Sequence, residues 1–162
     1  MSLSSMESGR HRKVRKFRKL RDNLLKALYG YEVARVKPSR KELLHEAMVD
    51  LIPSSKLKRH AKRIISAVID KRDIIDDVLR KHIQSTLFDR MGELEKTILR
   101  IGTAEILFYR HLVPVAVAVN EAVNLAKLYV DEKFASLVNA TLKEIAEEIQ
   151  GVGNEGAEEN HS

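Results

Sequence analysis

The chain has 162 residues, of which 44% are hydrophobic and 32% charged, and this composition predicts one globular domain rather than a disordered chain. It contains no cysteine, which excludes disulfide scaffolds and cysteine-ligated zinc. No apolar run approaches the ~18 residues of a membrane span and no signal peptide is visible, so a cytoplasmic protein without a membrane partner is predicted.

Positive charge is concentrated near the N-terminus. The stretch RHRKVRKFRKLR, Arg10–Arg21, holds eight Lys or Arg residues among twelve and no acid. Since the whole chain carries a formal charge of +6, the remaining residues sum to −2. A near-neutral body with a basic arm predicts a polyanionic partner, with nucleic acid favoured over an anionic membrane.

The N-terminal half predicts three helices. Residues 1–16 are expected to form a flexible basic leader, and the first helix begins inside the basic stretch and ends before Pro38. Ser39 and Glu42 match the S-x-x-E capping box of a second helix, which Pro53 ends. The third helix is long, begins near Ser54 or Ser55 and reaches about Gln84, and the charged DKRD segment at 70–73 is a point where it can bend. The apolar stripe of the first helix recurs at the helical period through Phe17, Leu20, Leu24, Leu28 and Tyr31.

The C-terminal half continues the helical pattern after the connecting segment QSTLFDRMG. One helix begins at Glu93, the next has Pro114 in its first turn, and Asp131 caps a last helix that ends near Ile149. Residues 150–162 are expected to be a disordered acidic tail.

These elements predict an all-α fold of six or seven helices. They form a single helical domain, 17–149, built from two packed bundles at about 17–84 and 93–149.

The sequence contains motifs typical of catalytic or cofactor sites, but the residues around them do not match the structure that such sites require. The run GVGNEG at 151–156 matches the dinucleotide fingerprint, but that fingerprint follows a strand, and here a helix precedes it. No pair among the six histidines has the spacing of a helical zinc site. Adjacent acids such as Asp76 and Asp77 point about 100° apart on a helix and do not form a dyad. We therefore expect no catalytic residue, no metal site, no cofactor and no enzymatic activity.

The basic stretch is typical of an arginine-rich segment that orders on an RNA phosphate backbone. A solvated leader without a partner and a mitochondrial transit peptide are the alternatives, although the arm merges with the first helix without a break.

Three segments resemble the NusB transcription antitermination family. RKLRDNLLKALYGYE (18–32) is similar to the opening helix of that family, and LEKTILRIGTAEIL (94–107) to its central helix. VPVAVAVNEAVNLAKLYVDEKFASLVNATLKEIA (113–146) matches a family motif in order, spacing and chemistry. The resemblance implies a fold of two helical bundles and a bacterial factor that binds a boxA-type single-stranded RNA. It further implies a small-subunit ribosomal protein as partner and an indirect association with RNA polymerase, in support of ribosomal RNA synthesis.

The resemblance also assigns residues. It places Arg18, Lys19 and Arg21 on RNA phosphates, and Tyr29 at the RNA surface, where an aromatic ring stacks on an unpaired base. Core packing beside Leu28 is the alternative for Tyr29. The leader residues Arg12, Lys13, Arg15 and Lys16 extend this patch by their charge.

The second half of the chain contributes three assigned residues. Arg100 is expected either on RNA or as a tie between the bundles, and Glu95 at the interface with the ribosomal protein. Leu137 stands where the family has a phenylalanine at the RNA site, and Ala140 replaces a family glycine. Two other functions stay open: the helical RNA-binding module of a ribosomal RNA cytosine methyltransferase, for a fragment, and a helical protein-interaction domain with a basic leader.

Overall fold

The computed structural model describes the backbone of residues 3–159 and the side chains of residues 15–151. Over this range the fold is all-helical and contains no strand, in agreement with the prediction. Eight helices lie in the range, against the six or seven predicted. They are α1 (Leu3–Val33), α2 (Arg40–Ala47), α3 (Ser55–Asp70), α4 (Arg72–His82), α5 (Ser85–Arg90), α6 (Glu93–Phe108), α7 (Val115–Tyr129) and α8 (Glu132–Glu159).

The first and last helices are longer than their apolar stripes indicate. α1 begins at Leu3 and α8 ends at Glu159, because a helix elongates at one hydrogen bond per residue once it is nucleated. The side chains of residues 1–14, including the predicted RNA ligands Arg12 and Lys13, lie outside the described part of the chain. The flexibility of the leader and of the acidic tail stays a prediction.

Side-chain caps fix the helix starts that the sequence indicates. The Ser39 hydroxyl accepts a hydrogen bond from the Glu42 backbone N–H at 3.1 Å, at the start of α2. Asp131 Oδ1 accepts from the Phe134 N–H at 2.7 Å, before α8. Ser54 Oγ lies 3.4 Å from the Leu57 N–H, before α3. The three predicted caps are confirmed.

The predicted third helix is divided into α3 and α4 at one residue. Lys71 has φ −109° and ψ 21°, which is outside the α-helical region. Its N–H still donates to the Ala67 carbonyl at 2.9 Å, and its own carbonyl accepts from the Ile75 N–H at 3.0 Å. The break therefore interrupts the dihedral angles but not the hydrogen bonding, and it falls in the segment where a bend was predicted. The short α5 lies in the segment predicted as a connection.

The chain divides into two compact units, Met1–Ser66 and Ala67–Ser162. The predicted boundary lay later, between residues 84 and 93, and α4 accounts for the difference. α4 packs on α6 and α8, because Ile75 and Leu79 are fully buried and Asp76 is paired with Arg100 of α6. The sequence could not indicate this, since an apolar stripe does not specify its partner.

In the first unit, α1 packs against α2. Leu20, Leu24 and Leu28 of α1 are fully buried, as the stripe predicts. The Asn23 amide donates to the carbonyls of Ala47 at 3.0 Å and Val49 at 2.8 Å. This side chain thereby satisfies the carbonyls left open where α2 ends.

In the second unit, α6 is the central helix and packs on α4, α7 and α8. Every residue from 97 to 106 is buried. Gly102 makes this packing possible, since a Cβ at that position would lie 2.7 Å from Leu142 Cδ1 and 3.2 Å from the Ala122 Cβ. Among the helices of the described range, none combines the length and hydropathy that a membrane span requires.

Candidate nucleic-acid interface

The basic stretch lies on α1, and the helix sorts its residues by face. Arg15, Lys16 and Arg18 are exposed, and Lys19 is half-buried. Leu20 points into the core, so the helical period that buries the leucine stripe also turns these cations outward. The exposed part of the stretch forms the α1 basic face, which we define as Arg15, Lys16, Arg18 and Lys19.

Arg21 is buried and corrects one prediction. Only 4% of this residue is exposed, and its guanidinium carbon lies 5.8 Å from the centroid of the Phe17 ring. A side chain in this position packs against an aromatic face and does not present its charge to a phosphate at the surface. We therefore leave Arg21 out of the α1 basic face.

Phe17 joins α1 to α3 within the first unit. Its ring meets the His60 ring edge-on, with centroids 5.8 Å apart and an interplanar angle of 70°. Lys56 Nζ lies 5.8 Å from the same centroid. Cations therefore approach Phe17 from both helices, Arg21 from α1 and Lys56 from α3.

α3 carries a second group of cations that the sequence analysis missed. Five Lys or Arg residues occur between positions 56 and 63, and no acid occurs from 51 to 69. The segment SKLKRHAKR contains this signal in its five cations without an acid, although its charge density is lower than that of the stretch at 10–21. The residues concerned are Lys56, Lys58, Arg59, Lys62 and Arg63.

Tyr29 lies on α1 and is exposed, at 38% of its maximal area. The following turn is held by Lys37, whose Nζ donates to the carbonyls of Tyr31 at 2.6 Å and Glu32 at 2.9 Å. A cation at a helix C-terminus is favourable both as a donor and for the helix dipole. The Tyr29 ring is thus presented to solvent on a well-anchored segment.

Of the two roles predicted for Arg100, a contact to RNA or a tie between the predicted bundles, its position fits the second. It is 5% exposed, and its Nε and Nη2 each donate to a carboxylate oxygen of Asp76 at 2.9 Å. Nη1 lies 3.4 Å from Glu93 Oε2. Because its donors are used on carboxylates inside the second unit, Arg100 ties α6 to α4 and does not reach a ligand at the surface.

Glu95 and Leu137 both lie in the second unit and are half-buried. Glu95 is in the first turn of α6, where a carboxylate is favoured by the helix dipole. Leu137 is on α8. Each keeps part of its surface available to a partner.

A histidine cluster in the second unit also escaped the sequence analysis. His82, at the end of α4, places Nδ1 3.1 Å from Glu144 and Nε2 2.5 Å from Glu148, both on α8. This cluster links α4 to α8. Among the side chains of residues 15–151, no three His, Asp or Glu residues are grouped so that they could hold a metal ion.

The all-helical fold and the α1 basic face define the class of the protein. It is an all-helical protein with a surface complementary to polyanions. Comparison with known proteins gives the family. The NusB family model matches residues 18–147, and the chain belongs to the NusB family.

Curated and solved relatives agree with this assignment. The transcription antitermination protein NusB of Ruminiclostridium cellulolyticum is 32% identical over 126 residues, which is 78% of this chain and 85% of the relative. The structure of T. maritima NusB superposes with a TM-score of 0.68 at 28% identity, over 81% of this chain and 90% of that one. A structure of antitermination factors NusB and NusE in complex with dsRNA gives a TM-score of 0.68 at 28% identity, over 82% and 97%.

Proposed function

We propose that this protein is a transcription antitermination factor that binds a boxA-type single-stranded RNA together with a small-subunit ribosomal protein. In this role it supports ribosomal RNA synthesis and associates with RNA polymerase indirectly, in the bacterial cytoplasm. The observation that carries the proposal is the α1 basic face, with Arg15, Lys16 and Arg18 exposed on a helix of a NusB-family protein.

The α1 basic face supplies the affinity. Its cations neutralise phosphates and release the counterions condensed on the RNA, which favours binding at low salt. Because the side chains project from one helix, they follow the backbone of a strand without first ordering a flexible segment. Phosphate contacts position the strand but do not identify its bases.

Recognition of bases needs groups other than lysine and arginine. Tyr29 is suited to stack on an unpaired base, since its ring is exposed on α1. Leu137 offers an apolar surface but no ring, so it contributes contact without stacking. We assign the preference for boxA to Tyr29 more than to Leu137.

The ribosomal-protein partner follows from the family. A structure of related antitermination factors NusB and NusE is in complex with dsRNA, and Glu95 in the first turn of α6 is the residue we assign to the equivalent interface with the ribosomal protein. The relative from Ruminiclostridium cellulolyticum, aligned over 78% of this chain, is a transcription antitermination protein. This supports an antitermination factor over a methyltransferase module or an unrelated interaction domain.

The test is a fluorescence-anisotropy titration with a boxA-type RNA and a scrambled RNA of equal length, with and without the ribosomal-protein partner. The test variant replaces Arg15, Arg18 and Lys19 by glutamine. The control variant removes equal charge from exposed residues of the second unit, through Lys81→Gln, Arg90→Gln and Arg110→Gln.

We expect the native protein to prefer boxA, and the preference to sharpen with the partner. The test variant should lose affinity for both RNAs by roughly tenfold, because it lacks three cations that contact phosphates. The control variant should bind as the native protein does. The proposed function would be refuted if both RNAs bound with equal affinity and the ribosomal-protein partner did not change that affinity.

A further inference from the structure

The exposed side of α3 forms a second basic surface. Lys56, Lys58, Arg59 and Lys62 are exposed, and Arg63 is half-buried. We call these five residues the α3 basic surface. They occupy the positions left by a buried stripe that includes Leu57, Ala61, Ile64 and Val68.

This surface runs into a groove between α2 and α3. Two adjoining open cavities of about 570 and 390 Å³ share Lys41, Leu44 and Lys58 in their walls. Their volumes fall in the usual range of ligand sites. The apolar part of the walls comes from Leu44, Met48, Leu51, Pro53 and Ile65.

Cations stand at the edge of the groove. Lys41 and Lys58 belong to both cavities, and Lys62 and Arg40 to the smaller one. Across the side chains described, at 15–151, no ion pair or hydrogen bond engages the ammonium groups of Lys41, Lys58 and Lys62. An apolar floor with these three lysines at its edge suits a ligand that has a flat organic part and an anionic part.

The α3 basic surface lies beside α1 at Phe17, whose neighbours in the sequence, Lys16 and Arg18, belong to the α1 basic face. Phe17 is the point of contact, since it packs against His60 and lies 5.8 Å from Lys56 Nζ. Lys56 is therefore the α3 cation nearest to Phe17 in the contacts observed, and an RNA strand that passes Phe17 would meet α3 there. Within α3, Lys58 and Lys62 follow on the side that borders the groove, one helical turn apart.

We propose that the α3 basic surface and the α2–α3 groove bind a segment of single-stranded RNA contiguous with the element held by α1. The proposal rests on the proposed function and extends it, because it predicts a longer RNA footprint than the α1 basic face can cover. Phosphates lie on Lys58, Lys62 and Lys41, and a base enters the groove above Leu44 and Ile65. A polynucleotide fits best because it carries a negative charge at every nucleotide. Such a ligand complements a surface that presents several cations with no acid between them.

The experiment compares two RNAs and three proteins by fluorescence anisotropy. One RNA is the short boxA-type element, and the other is that element extended on the 5′ or the 3′ side. The proteins are the native chain, the groove variant Lys41→Gln/Lys58→Gln/Lys62→Gln, and the control variant Lys81→Gln/Arg90→Gln/Arg110→Gln. Circular dichroism establishes that all three proteins are folded.

We expect the extended RNA to bind the native protein more tightly than the short RNA, and the groove variant to lose this gain. For the extended RNA, the slope of log K against log salt should be less steep by about 2 in the groove variant, which lacks three phosphate contacts. A slope difference of this size changes the affinity on the order of tenfold between 50 and 200 mM salt. The short RNA should bind the native protein and both variants equally.

The possible failures are distinct. If the native protein does not prefer the short boxA element over a scrambled one, the proposed function fails, whatever the groove variant does. If that preference holds and the groove variant binds the extended RNA as tightly as the native protein, the α3 site is refuted. Equal loss on both RNAs also overturns it, because the lysines then belong to the α1 site. Binding of a poly-glutamate peptide in preference to the RNA extension would make the groove a site for acidic proteins instead.

Discussion

At the scale of single residues, Tyr29 is the side chain most open to a direct test. Replacement of Tyr29 by leucine should weaken boxA binding by about 1–3 kcal/mol, the usual value of one aromatic–base stack. The fold should be unaffected because the ring is exposed. Fluorescence anisotropy measures the affinity, and Tyr29→Phe is the matched control because it keeps the ring. If Tyr29→Leu binds like the native protein, the ring does not stack on RNA.

Asp76 and Asp77 are neighbours in sequence with opposite environments. Asp76 is buried and holds Arg100 with two hydrogen bonds, whereas Asp77 is 73% exposed and lies 3.4 Å from Arg80. Asp76→Ala should lower the free energy of unfolding by about 3–5 kcal/mol, since it leaves a buried guanidinium without its carboxylate. Asp77→Ala should cost less than about 1 kcal/mol.

Urea unfolding followed by circular dichroism measures both values. Similar midpoints for the two variants would show that the buried pair does not stabilise the second unit. A mild variant, Arg100→Lys, should bind boxA RNA with native affinity if folded, because Arg100 lies away from the surface. A specific loss of RNA binding in that variant would restore the role predicted from the family resemblance.

At the scale of elements, α6 packs closely on α7 and α8 because residue 102 is a glycine and has no side chain. Gly102→Val should destabilise the protein by about 1–3 kcal/mol, as is usual for overpacking, because Ala122 and Leu142 already occupy the space of the new atoms. Gly30 is the control: it lies in α1 with no atom within 4 Å of an added Cβ.

Gly30→Ala should therefore stabilise the protein by up to about 1 kcal/mol through helix propensity alone. Thermal unfolding midpoints measure the two changes, which are expected to have opposite signs. A Gly102→Val variant as stable as the native protein would mean that α7 and α8 move away from α6 at little cost in free energy.

At the scale of the whole molecule, charge is distributed unevenly, and binding should depend strongly on salt. The four cations of the α1 basic face predict a slope of log K against log salt near −3 for a short single strand, at about −0.7 per phosphate. A titration from low to physiological salt measures the slope. A slope near zero would be incompatible with phosphate recognition by α1, even if the RNA bound tightly.

Much of the fold was predictable because it depends on local interactions. The leucine stripe of α1, the Ser39 cap and the Asp131 cap each involve residues within one or two helical turns, so their spacing in sequence fixes their geometry. The family was predictable for a related reason. Three motifs spread over both halves of the chain preserve order and spacing, and the family match over residues 18–147 confirms the resemblance.

The sites were less predictable because burial and pairing depend on helices distant in sequence. Arg21 and Arg18 are both basic residues of one stretch, yet only the first is buried. Arg100 has its carboxylate partner 24 residues away, and no local pattern indicates that pair.

The sequence by itself determined the all-helical class, most of the helices, their caps, the basic stretch and the family. Only the tertiary structure decided that α4 belongs with the second unit, that Arg21 and Arg100 face inward, and that α3 presents its cations beside α1. The physical reason is the range of the interactions. Helical hydrogen bonds and caps join residues about four positions apart, whereas burial is decided by whichever helix packs on the other side.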